Sequence, residues 1–512
     1  MNIESENVAF PLDHLAIGKE PEADALVMRS GTLSYKMLNH RVGLLAAWLQ
    51  GQGLVKGDRV ATWLAKTELA CIMPLAAARA GLVHVPVNPL LKPAQVVHIV
   101  ADSGARLLIS NAGRLKTLED SEVNCGLFED KIVSSDLESI AEPMVPSAAT
   151  TDTDDLAAIL YTSGSTGRPK GVMLSHANLT LGALSVAEYL KLSDDDRTIC
   201  VLPLSFDYGQ NQLFSAWAAG GCAVPLDYLT PRDVMKACAR EQITTLAAVP
   251  PLWVQLVEHE WPEEAVTSMR RLTNSGGALT PTLVKQLRGI FGSGTDIYAM
   301  YGLTEAFRST YLDPALIDDN PTSMGRAIPF AEILVVDQTG AIAGPDQAGE
   351  LVHCGPLVAQ GYWSDPERTA QRFKKAPGAS SYGGTAVFSG DTVKRSEDGL
   401  LYFVSRDDAM IKSSGNRISP TEIEEIAVES GIIAEAVALG VPDERLGQAI
   451  RLFVRAVDPE PQSAAISDQL GKYLKQNLPN FMHPRDIVPL SEFPKNPNGK
   501  LDRNALASMD IE

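Results

Sequence analysis

Little in this sequence marks a secreted, membrane-bound or nucleic-acid-binding protein. Its six cysteines, Cys71, Cys125, Cys200, Cys222, Cys238 and Cys354, are scattered over 512 residues with no CxxC spacing. That excludes a zinc ribbon and argues against a disulfide framework; free thiols filling a core in a reducing compartment fit better. Long hydrophobic runs are lacking: the longest, Ile72 to Val87, is interrupted by Arg79 and is too short to span a bilayer. The opening MNIESENVAF has neither the basic nor the apolar segment of a secretory signal. Positive charge is scarce, with 44 Lys and Arg against 63 Asp and Glu, a net charge of -19. Such a surface repels nucleic-acid phosphates and anionic lipid headgroups. The expectation is a cytoplasmic protein with no nucleic acid or membrane as partner, in which an anionic substrate needs a local cationic site. The Walker A pattern of P-loop nucleotidases and the kinase glycine loop are both missing.

What is present is the composition of a folded globular protein, 45% hydrophobic and 21% charged. The length exceeds what one core supports, so at least two domains are expected. Helix-like segments alternate with short apolar runs such as LAAILYTS (156–163), EILVVD (332–337) and ELVHC (350–354), the pattern of buried strands in layered α/β structure. Near residue 405 the texture changes to VSRDDAMIKSSGNRISP. There Ser419-Pro420-Thr421-Glu422 reads as a capping box with proline at the first helical position. Strand-like runs at 434–441 and 448–456 and a helix-like segment at 463–478 complete a small α+β unit. The chain therefore divides into a large N-terminal domain (1–404), a hinge (405–408) and a small C-terminal domain (409–512).

The most informative stretch is Tyr161-Thr-Ser-Gly-Ser-Thr-Gly-Arg-Pro-Lys-Gly171, which follows an apolar strand. Glycines let backbone N–H groups converge, hydroxyls add donors and Lys170 adds charge, so the loop suits a polyphosphate. By composition alone, a flexible Gly/Ser loop fits as well.

This loop resembles the signature of the acyl-adenylate-forming superfamily, which includes acyl-CoA synthetases, luciferases and nonribosomal-peptide adenylation domains. Further motifs of that family follow in order: Asn274-Ser-Gly-Gly-Ala278, Tyr301-Gly-Leu-Thr-Glu305, Ser389-Gly-Asp391-Thr-Val, Ser405-Arg406-Asp407-Asp408 and Pro497-Asn-Gly-Lys500-Leu-Asp-Arg503. The resemblance covers residues 25–506 and implies an α/β fold with a large layered domain and a small mobile one. It also implies ATP and Mg²⁺ as cofactors. It assigns Thr162, Ser163, Gly164, Ser165, Thr166, Gly167 and Lys170 to the ATP phosphates, and Gly276, Gly277, Ala278, Tyr301 and Gly302 to the adenine side. It gives Thr304 to the α-phosphate, Glu305 to Mg²⁺, Asp391 to the ribose hydroxyls and Arg406 to the ribose or phosphate. Mg²⁺ held by one carboxylate plus phosphate oxygens agrees with that ion's habits.

Lys500 is the implied catalytic residue, its ammonium stabilising charge that gathers on phosphoryl and carboxylate oxygens as the acid attacks. The resemblance places a hinge at Asp408, about which the small domain rotates between adenylation and thiol attack; Ser405 stands where the family usually has glycine. Phe206 and Asp207 resemble the Phe-Asp pair of peptide-synthetase adenylation domains, whose aspartate binds a substrate ammonium; an aspartate bonded within its own loop is the alternative. Trp253 and Phe307 fit either the acyl pocket or the core. The implied partners are a small carboxylic or amino acid and a phosphopantetheine thiol, on CoA or on a separate carrier protein. A fatty or aryl acyl-CoA ligase and a non-catalytic nucleotide- or partner-binding member of the fold are the rival readings.

Overall fold

The structure, a computed structural model, describes residues 9–118, 146–162, 169–277, 279, 281–406, 411–418, 420–456, 463–494 and 503–509. Two sheets build the large domain. The six-stranded one runs in the order Gly361–Tyr362, Lys170–Ser175, Leu156–Thr162, Val83–Pro86, Arg59–Trp63, Ala105–Ser110. The apolar run noted in the sequence is the helix Glu68–Ala80 followed by the strand Val83–Pro86. Arg79, which interrupts it, is buried and pairs with buried Asp13 at 2.9 Å.

The second sheet has fourteen strands. Its centre is a parallel run in the order Asp296–Tyr301, Arg271–Asn274, Thr245–Ala248, Arg197–Cys200, Cys222–Pro225, short apolar strands buried on both faces. Beyond Asp296–Tyr301 the pairing turns antiparallel through Thr310–Tyr311, Ser323–Ala327, Leu401–Arg406 and Thr385–Arg395. Helices cover these faces, with Phe214, Trp217 and Trp253 among the largest buried side chains. The expected strands at 156, 332 and 350 are found at Leu156–Thr162, Glu332–Val336 and Ala348–Cys354. Cys71, Cys200, Cys222, Cys238 and Cys354 are buried free thiols, and Cys125 lies outside the described residues.

The strand Leu401–Arg406 carries the large sheet through two of the residues read from the sequence as hinge, pairing Ser405 with Thr392 and Arg406 with Asp391. From Ile411 a separate five-stranded sheet begins, in the order Asn416–Ile418, Ile411–Ser413, Gly447–Ala456, Ile433–Asp443, with Asp486–Pro489 parallel to Gly447–Ala456. The helices Pro420–Glu429 and Ser463–Asn477 belong to this unit, whose core is built from residues such as Ile423, Leu452 and Leu470. Proline does open the first of them; Ser419, its expected cap, lies outside the described residues. The small unit touches the large one where Gln95 Nε2 donates to Glu422 Oε1 at 2.6 Å and where Gly415 packs on Val249. No helix among the described residues is long and apolar enough to cross a membrane.

Candidate active site

The strands Leu156–Thr162 and Lys170–Ser175 are antiparallel neighbours with Thr162 opposite Lys170, so the Gly/Ser stretch joins two strands of one hairpin. A Walker A loop leads instead into a helix. Ser163, Gly164, Ser165, Thr166 and Gly167 lie outside the described residues. At the hairpin's foot, Lys170 Nζ donates to Glu305 Oε1 at 3.0 Å and to the Tyr362 hydroxyl at 2.8 Å. The Tyr362 hydroxyl donates in turn to Glu305 Oε1 at 2.7 Å, and the ammonium sits 4.3 Å from the centre of the Tyr362 ring. Burial works against ionisation of Glu305, but Lys170 and the Tyr362 hydroxyl outweigh it and hold the carboxyl down to about 2.

The parallel strands Arg271–Asn274 and Asp296–Tyr301 end at a cleft of about 250 Å³, the location expected of ligand sites in α/β sheets. Phe206, Asp207, Gly276, Gly277, Tyr301, Gly302, Thr304 and Asp391 all line it. Gly276 turns the chain at φ +80°, in the region that favours glycine, and Asn274 Nδ2 donates to the Gly277 carbonyl at 2.8 Å to hold that turn. Asp391 is 2% exposed and accepts from the Tyr301 hydroxyl at 2.5 Å, which ties the antiparallel part of the sheet to the end of the parallel part.

Asp207 opens the helix Asp207–Ala219, and its carboxylate accepts from Thr304 Oγ1 at 3.1 Å. Burial pushes that carboxyl up to about 6 against the opposing pull of Arg308 and Thr304. The helix starts where it does because Gly209 has no side chain: a Cβ there would lie 1.9 Å from the Pro203 carbonyl oxygen. Asp207 is thus bonded to the motif Tyr301–Glu305 as well as to its own backbone amide.

Glu305 and Lys170 stand paired with each other and are not among the residues lining the cleft. Ala278, Asp407, Asp408 and Lys500 lie outside the described residues, and Arg406 is placed by its backbone pairing with Asp391. Trp253 and Phe307 belong to the core, each 1% exposed. Two residues that sequence reasoning missed stand out: Tyr362, which bridges Lys170 and Glu305, and Arg308, which lines the cleft with Tyr208 beside Asp207. Their roles depend on neighbours far away in the chain; Tyr362 is 192 residues from Lys170.

Comparison with known proteins agrees with this geometry. Residues 14–363 match the family model for AMP-binding enzymes, and residues 422–500 match the model for their C-terminal domain. Feruloyl-CoA synthase of Amycolatopsis sp is 30% identical over 94% of this chain and 94% of its own length. Tyrocidine synthase 2 of Brevibacillus parabrevis is 30% identical over 96% of this chain, which spans 13% of that synthase. Among solved structures, a double mutant of o-succinylbenzoate CoA synthetase of Bacillus subtilis with a bound product analogue, OSB-NCoA, is 25% identical. It superposes with a TM-score of 0.86 over 98% of both chains. The same synthetase in complex with its acyl-adenylate intermediate gives 0.70 over 98% of both. Taken with the hairpin, the glycine turn and the Tyr301–Asp391 pair, these matches identify the chain as a member of the AMP-binding enzyme family.

Proposed function

We propose that this chain uses ATP to convert a carboxylic acid into its acyl-adenylate, releasing pyrophosphate, and then transfers the acyl group to a phosphopantetheine thiol of CoA or of a carrier protein. The observation that supports this most is one cleft whose two walls suit two reactants. Gly276, Gly277, Tyr301 and Asp391 form a wall suited to a nucleoside, Phe206 and Asp207 a wall suited to an acyl group, and Thr304 stands between them. An acid held on the second wall is positioned for its carboxylate oxygen to attack the α-phosphorus of ATP held on the first. The phosphorus–oxygen bond to pyrophosphate breaks as the new one forms, and positioning of this kind supplies much of the rate. The thiol then displaces AMP at the acyl carbon.

Asp391 offers carboxylate oxygens to ribose hydroxyls. Glu305, ionised and adjacent to Thr304, has the chemistry of a carboxylate that shares Mg²⁺ with phosphate oxygens. When bound there, the ion would neutralise charge on the phosphates. Lys170, released from Glu305, is placed to contact the same phosphates. Lys500 is assigned the charge on the reacting oxygens, brought in by movement of the small domain about Asp408. The buried free thiols favour a reducing, cytoplasmic setting.

The test is ATP–pyrophosphate exchange over a panel of amino, aryl and fatty acids. Lys500→Ala is expected to lower exchange about a hundred- to a thousandfold, while thioester formation from supplied adenylate survives. Equal loss of both activities, or exchange with no acid at all, would refute the reading.

A further inference from the structure

Arg308 is buried, 2% exposed, yet it lines the cleft. Among the described residues no hydrogen bond is made by its guanidinium, whose Nε is buried without a partner, and no carboxylate lies within ion-pair distance. The ring of Tyr208 lies 4.5 Å from the guanidinium carbon, and the charge also acts on the nearby Asp207 carboxyl. A buried cation in this condition is costly unless something else supplies the missing acceptors.

The backbone holds it there firmly. Phe307, just before it, has φ +59°, and its ring fills the space left by Gly182, where a Cβ would come within 2.4 Å of the ring. Arg308, Tyr208 and Met300 are also shared with a second, smaller cavity next to the cleft. That cavity is lined by Thr198, Asn211, Gln212 and Thr245, each of which has a buried side-chain polar atom without a partner. The small cavity beside Arg308 therefore sets several unsatisfied polar atoms among apolar side chains such as Val186, Leu190 and Met300.

We infer that the preferred acid carries a second carboxylate, which Arg308 binds at the far end of the acyl site while the first carboxylate reacts. The guanidinium fork suits a carboxylate in two-point contact, the strongest hydrogen-bonding arrangement open to it. Asp207 accepts from Thr304 Oγ1 and feels the charge of Arg308 without forming an ion pair or hydrogen bond with it. This inference rests on the proposed acid activation and names its substrate class.

It is tested by exchange assays with the dicarboxylic acids from succinate to suberate, with glutamate, and with the matching monomethyl esters and glutamine. Binding is followed in parallel by the shift in Tm that each acid causes without ATP. At least one dicarboxylate should exceed its neutral partner in kcat/KM by about a hundredfold or more. Arg308→Met should erase that preference and the Tm shift while leaving the KM for ATP unchanged, and Arg308→Lys should restore part of both. Exchange with monocarboxylic acids alone would overturn this inference and leave acid activation standing, as would a preference that survives Arg308→Met. A Tm shift lost in Arg308→Met without exchange in any acid would support the binding site and refute the activity. Neither shift nor exchange would refute both.

Discussion

Glu305 shows how a residue can be named by a motif and still have its behaviour set by distant partners. Its carboxyl is held near 2, down from the usual 4.5, by Lys170 and Tyr362 against the cost of burial. A carboxyl depressed on folding stabilises the protein above its unfolded pKa and loses that contribution as pH falls through the folded one. Comparing wild type with Glu305→Gln by chemical denaturation, the stability gap should be full above pH 4.5, on the order of 3 kcal/mol, and should shrink toward pH 2. A gap that does not change with pH would mean that Lys170 and Tyr362 do not hold the charge. The Tyr301–Glu305 run could be read from sequence because its residues are contiguous. Arg308 could not, since Phe307 and Arg308 look alike as candidates until Phe307 is seen filling the space beside Gly182 and Arg308 lining the cleft.

At the scale of elements, the helix Asp207–Ala219 carries the acyl wall, and its position depends on a close approach to Pro203. Gly209→Ala must push the helix start away, because the obstacle is backbone and cannot rotate aside. The expected cost is about 1–3 kcal/mol or more, with a raised KM for the acid and an unchanged KM for ATP. Gly289, where an added Cβ would meet nothing within 4 Å, supplies the control substitution to Ala, expected to change neither KM. An unshifted acid KM in Gly209→Ala would detach this helix from the pocket. The longer elements were legible in sequence because apolar runs and cap signals extend over many residues, as in Leu156–Thr162 and Pro420–Glu429. The strands Ile411–Ser413, Asn416–Ile418 and Asp486–Pro489 escaped notice because three or four residues show no period, and only their partners make them strands.

For the whole molecule, the arrangement of the two units is fastened in part by the bond from Gln95 to Glu422. The chain superposes better on the double-mutant synthetase bearing a product analogue, with a TM-score of 0.86, than on the synthetase bearing its adenylate, with 0.70. Gln95→Glu keeps an acceptor for the Lys92 amide, to which Gln95 Oε1 is bonded at 3.1 Å, and sets two like charges face to face. Thioester formation from supplied adenylate should slow about threefold to tenfold, the effect of roughly 1 kcal/mol, while ATP–pyrophosphate exchange persists. An equal fall in both would show that the contact supports folding rather than one arrangement.

The clasp of Lys170, Glu305 and Tyr362 has a further consequence for selectivity. In the resting protein the lysine's charge is already spent on a neighbour, so a lone sulfate or orthophosphate finds scant reward for entering. A ligand that brought its own divalent counter-ion would satisfy the acid and free the base in the same event.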